Sequence, residues 1–110
     1  MIDETIGKIE RRVQEGTSIS EMNKRDLLDL LAKLRAELGS LSETHGEQAE
    51  SITGFVERSA HEATRKDPNP KLLGLAIDGL STSVQEFESS HPLVAETVNS
   101  IAAALANLGI

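Results

Sequence analysis

The chain has 110 residues, 38% of them hydrophobic and 26% charged, which fits one domain with a core of modest size. It contains no cysteine, and this excludes a disulfide framework and cysteine-based metal sites. The formal net charge is −7, and residues 72–110 carry Asp78, Glu86, Glu88 and Glu96 with no Lys or Arg, so the C-terminal third lacks the basic face a nucleic-acid binder needs.

The first predicted helix spans about 3–15. Ile2, Ile6, Ile9 and Val13 are spaced four, three and four apart, one face of a helix. Asp3 and Glu4 suit its positive end, and Gly16 is the expected stop. Lys8, Arg11, Arg12, Lys24 and Arg25 could form a local basic face on the first two helices, against the plainer reading of a solvated mixed-charge surface.

A second helix is expected over about 20–39. Ser18 to Glu21 matches a capping box, with Ser20 an alternative cap. Leu27, Leu31, Leu34, Leu38 and Leu41 form a heptad seam. Leu28 and Leu30 widen it, and a stripe that wide meets more than one neighbour. A third helix is expected over about 43–66, with Thr44 and Glu47 as a second capping box. Ala49, Ile52, Phe55, Val56, Ala60 and Ala63 make its apolar side. The alternative is one continuous helix over 20–66.

Asp67-Pro68-Asn69-Pro70 is the firmest boundary, because two prolines cannot sit inside a helix. The fourth helix is expected over about 71–88, with Leu73, Ile77, Leu80, Val84 and Phe87 on one face. Gly54, Gly74 and Gly79 fall inside predicted helices, either as tolerated exposed positions or as points of close packing. Pro92 then suits the first position of a fifth helix, about 92–107, which places His91 at its cap. Val94, Val98, Ile101, Leu105 and Leu108 repeat at four and three, and alanines cover most other sides. A helix apolar nearly all round is buried nearly all round. These five residues are therefore the expected contact with a second chain.

Chemistry is sparse. His61 to Arg65 has the start of the helical zinc motif, but Arg65 stands where the second histidine belongs. Glu57 and His61 share a face, and two ligands do not make a zinc site. Glu88 and His91 have the Glu-x-x-His spacing of di-iron bundles, yet Pro92 interrupts the helix there and no second copy exists. No phosphate loop and no Gly-x-Ser-x-Gly is present. The N-terminus is acidic where a signal peptide is basic, and the most apolar stretch, 101–110, is too short to cross a bilayer. The expectation is a cytoplasmic chain with no membrane segment.

Phe87-Glu88-Ser89-Ser90-His91-Pro92, followed by a helix ending Leu105-Ala106-Asn107-Leu108-Gly109-Ile110, resembles the signature of a small bacterial family of unknown function. The likeness is strongest over 71–110, moderate over 1–40 and least over 42–66. It implies no catalytic residue and no cofactor. Some members carry an automatic chromosome-partitioning name. The missing phosphate loop limits what that name implies here to an accessory role.

The sequence thus predicts an all-α antiparallel bundle of four to five helices in a single domain, 1–110. The expected function is a non-catalytic interaction or structural module that forms a homo-oligomer, most simply a dimer, and docks a protein partner. The alternative is a metal-binding or catalytic bundle using His45, His61 or His91.

Overall fold

A computed structural model describes residues 2–17 and 19–108. Among them are five α-helices: α1 (Ile2–Glu15), α2 (Glu21–Leu41), α3 (Gly46–Ala63), α4 (Pro70–Val84) and α5 (Pro92–Leu108). A 3-10 turn, Gln85–Phe87, continues α4, so the regular α-helix ends at Val84, four residues before the predicted end at 88. Ser18 of the expected capping box, and the terminal Gly109 and Ile110 of the family signature, lie outside the described residues.

Local chemistry sets most boundaries. Ser20 caps α2, its hydroxyl accepting from the Asn23 amide. The Asn69 side chain accepts from the Lys71 and Leu72 amides, and Pro70 occupies the first turn of α4. The segment 20–66 is broken: α2 ends at Leu41 and α3 begins at Gly46. A continuous helix would run about 70 Å at ~1.5 Å per residue. The bundle of described residues measures 37 × 24 × 21 Å. The second capping box does not form. His45 occupies the N-cap of α3 without a side-chain capping bond to the helix, and the Thr44 hydroxyl turns to His45 Nδ1, 2.8 Å away. Gly16 follows α1 because the chain folds back tightly there: a Cβ would stand 2.6 Å from Ile19 Cδ1.

The helices close into a ring. α1 touches α2, α2 touches α5, α5 touches α4, α4 touches α3, and α3 returns to α1. Short connections make successive helices alternate in direction. A closed ring of five alternating helices must contain one parallel pair, and here it is α1 and α3. Ile2 and Thr5 lie beside Glu50 and Thr53, Lys8 and Arg12 beside Glu57 and His61, and Gly16 beside Thr64. The leucine seam of α2 fills the middle, with Leu31, Leu34 and Leu38 fully buried. Across the α1–α2 seam Arg35 donates to Glu10 at 2.8 Å and sits 3.9 Å from Asp3.

α5 resolves the surplus of apolar surface noted in the sequence. It packs on α2 and α4 and also reaches α3 across the middle of the ring. Three neighbours within one chain therefore cover most of its apolar circumference, with Leu93 of its first turn left exposed. Its outer side presents Glu96, Asn99, Ser100, Ala103 and Asn107.

The interior glycines divide. A Cβ at Gly54 or Gly74 would meet nothing within 4 Å, whereas one at Gly79 would stand 2.5 Å from Phe55 Cε1. Gly54→Ala and Gly74→Ala are each expected to stabilise the fold by about 0.5–1 kcal/mol, through helix propensity and a less flexible unfolded chain. Gly79→Ala gains the same propensity but must displace the Phe55 ring. Urea midpoints of the three variants would separate the two classes, with only the first two rising clearly.

Candidate functional site

Four of the five α5 residues expected at an interface lie inside the chain's own core. Val98 and Ile101 are fully buried and Leu105 and Val94 nearly so, while Leu108 is half-buried at the edge. A second copy reaches them only if the fold opens. The physical reason is the ring, which supplies α5 with the neighbours that a simple four-helix arrangement would lack.

The signature around His91 builds a joint. Phe87 is buried, and its ring meets His45 and His91 edge-on, with centroids 5.4 and 5.5 Å apart. The two histidines also stand edge-on to each other at 5.5 Å. His91 Nδ1 shares a hydrogen bond with the Ser90 hydroxyl at 3.0 Å, and its amide donates to Phe87 O at 2.8 Å. Three rings thereby tie the α2–α3 connection to the α4–α5 connection. The sequence places His45 near the start of a helix predicted over 43–66 and His91 at the cap of the fifth, with no link between them.

The third histidine is elsewhere. His61 lines the α1–α3 seam with Lys8, Arg12, Glu57 and Arg58. Among the described residues no three His, Asp or Glu side chains converge to hold a metal ion.

The principal concavity is the groove at the C-terminal ends of α1 and α3, about 740 Å³ in volume. Lys8, Arg11 and Arg12 enter from α1, and Arg65 and Lys66 from the turn after α3. Glu15 is the one acid on its lining. Beneath it Glu62, only 5% exposed, accepts from Arg65 Nη1 at 3.0 Å and lies 3.8 Å from Arg58. The parallel pairing of α1 and α3 creates this cluster, because it brings the last two turns of α1 to the same end as the cationic turn that follows α3. The basic face expected on the first two helices is split instead. Lys24 and Arg25 lie along the α1–α2 seam with Gln14, Glu21 and Asp29, and Lys24 pairs with Glu21 at 3.8 Å. Sequence reading missed Arg58, Arg65 and Lys66. The available signal was the placing of Arg65-Lys66 directly before the Asp67-Pro68 break, where a helix end favours cations.

Among the described residues five large apolar side chains are exposed: Met22 of α2 and Leu93 of α5, and a group of three on α3 and α4. Phe55 of α3 and Leu72 and Leu75 of α4 are 40%, 43% and 64% exposed. Leu72, Leu75 and Gly79 are spaced three and four apart along α4, and the Phe55 ring lies over Gly79.

No helix among the described residues is long and apolar enough to cross a membrane. Residues 27–110 match the family model described as Domain of unknown function (DUF4404). The match runs through 42–66, where the resemblance was weakest in the sequence, and includes the Phe-Glu-x-Ser-His-Pro segment. No curated protein and no solved structure matches the chain.

Proposed function

We propose that this chain, which belongs to the DUF4404 family of unknown function, is a non-catalytic interaction module that pairs with a second copy of itself through the outer side of α3 and α4. The observation that carries the reading is the apolar stripe of Leu72, Leu75 and Phe55, three neighbouring side chains open to solvent on α3 and α4. Burial of such side chains is the usual driving force for association. A two-fold axis beside α4 lets each Leu75 cover the partner's stripe, the self-complementary arrangement of most homodimers. Lys71 and Asp78 bracket the stripe and give the pair a polar rim.

Sedimentation equilibrium at micromolar concentration tests this directly. The expected mass is twice the 11.8 kDa of one chain. Leu72→Ser with Leu75→Ser is expected to return it to the monomer with its helix content intact, because neither side chain belongs to the core. A wild-type chain that remains monomeric throughout refutes self-association. A dimer that survives the double substitution refutes this face.

A further inference from the structure

We infer that the groove between the C-terminal ends of α1 and α3 binds a compact phosphate-rich anion, such as a di- or triphosphate group, held by Lys8, Arg11, Arg12, Arg65 and Lys66. The chain carries 11 Lys and Arg residues and an excess of acids, yet five of the 11 line this one groove with Glu15 as the only opposing lining carboxylate. Lys8, Arg11, Arg12 and Lys66 make no ion pair among the described residues, and neither do Arg25, Lys33 and Lys71, but only the first four converge on one concavity.

The helix dipole accounts for part of this. Cations are favoured within the last turn of a helix, and Arg12 occupies that turn of α1. Lys8 and Arg11 lie before it, beyond the short reach of the effect. Their convergence on the cations after α3 leaves a concentrated positive field opposed only by Glu15 on the lining and by the Glu62 carboxylate that Arg65 engages. Arg65 is also held in place: the buried Glu62 carboxylate accepts from one of its Nη atoms, leaving its other donors free for a ligand.

The form of the groove selects the anion. Its volume lies within the range of small-molecule sites. Three arginine forks match the geometry of phosphate oxygens, and phosphate groups place more charge in a small volume than carboxylates do. No aromatic side chain lines it, so a nucleobase would find no stacking platform and the phosphates alone would be read. A long duplex fits poorly. The seam continues from the basic end past Glu57 to Glu50, which would face the phosphates of an extended backbone.

Isothermal titration calorimetry of the full chain at low ionic strength tests the inference. Sodium tripolyphosphate is the probe, beside ATP, a short DNA duplex and an oligo-aspartate peptide. Tripolyphosphate and ATP are expected to bind alike, and both more tightly than the duplex or the peptide. Arg12→Glu with Lys66→Glu is expected to weaken binding by roughly tenfold or more, the scale of losing charge-assisted hydrogen bonds. Lys24→Glu with Arg25→Glu makes the same change in net charge outside the groove and is expected to leave affinity nearly unchanged. Circular dichroism of each variant confirms that these substitutions leave the helices intact. No binding of tripolyphosphate overturns the proposal, as does equal loss in the control pair. Tighter binding of the duplex or of oligo-aspartate overturns the ligand class.

Discussion

Ile101→Glu is expected to unfold the chain. Ile101 is fully buried on α5, the helix that touches three others. A carboxylate there is enclosed by apolar side chains, and neither α4 beyond Lys71 nor α5 itself carries a Lys or Arg to pair with it. Transferring an unpaired charge to the core costs several kcal/mol even after the protein relaxes. Loss of the isoleucine's own burial adds about 2 kcal/mol or more. A domain has only about 5–15 kcal/mol of stability in total. The helical circular dichroism signal should therefore collapse at 25 °C. A variant that kept wild-type helicity and urea midpoint, and only halved in mass, would place Ile101 at an interface and overturn the ring packing of α5.

Phe87→Ala is expected to cost about 3–5 kcal/mol, the usual range for emptying a buried phenylalanine site. The ring is one of only two in the chain outside the histidines, and both His45 and His91 stand on its edges. Truncation removes the surface that holds the α2–α3 connection against the start of α5. At about 4 °C or more per kcal/mol for a domain near this size, the melting temperature should fall by more than about 10 °C. His45→Ala and His91→Ala remove half-buried rings and should each cost less. A Phe87→Ala variant that melts with the wild type would show that the ring does not tie the two connections together. The expected result assigns the Phe87 and His91 positions of the family signature to folding.

The α3–α4 stripe and the α1–α3 groove are separate predictions with separate readouts. Serine at Leu72 and Leu75 should change mass without changing anion affinity. Glutamate at Arg12 and Lys66 should do the reverse. The two sites lie on different sides of α3: Phe55 faces α4 over Gly79, while Glu57 and His61 face α1.

Individual elements show where sequence reasoning held and where it stopped. The Leu27–Leu41 seam and the Val94–Leu105 seam are buried where their spacing put them. Both follow from 3.6-residue periodicity, a property of one helix alone. Asn69 and Pro70 start α4, and Pro92 starts α5, because proline geometry and side-chain caps act within a few residues. Phe55 departs from its pattern. It was expected on the apolar side of α3, yet it turns outward to lie over Gly79. Its seat exists only because α4 presents a residue without a side chain at that level. Glu62, in turn, is buried despite its charge, since Arg58 and Arg65 flank it one turn away on either side.

The amino-acid sequence by itself determined that this protein is all helical, where its helices start and stop to within a few residues, and which side of most of them is apolar. Those properties depend on propensity, periodicity and capping, which are local. Tertiary structure decided what the apolar surplus of α5 is used for and which cations meet. Closing five alternating helices into a ring leaves one parallel pair, and that pairing joins Arg11 and Arg12 to Arg65 and Lys66 across more than 50 residues of chain. No local rule encodes that juxtaposition, because it depends on which helix becomes the neighbour of which when the ring closes.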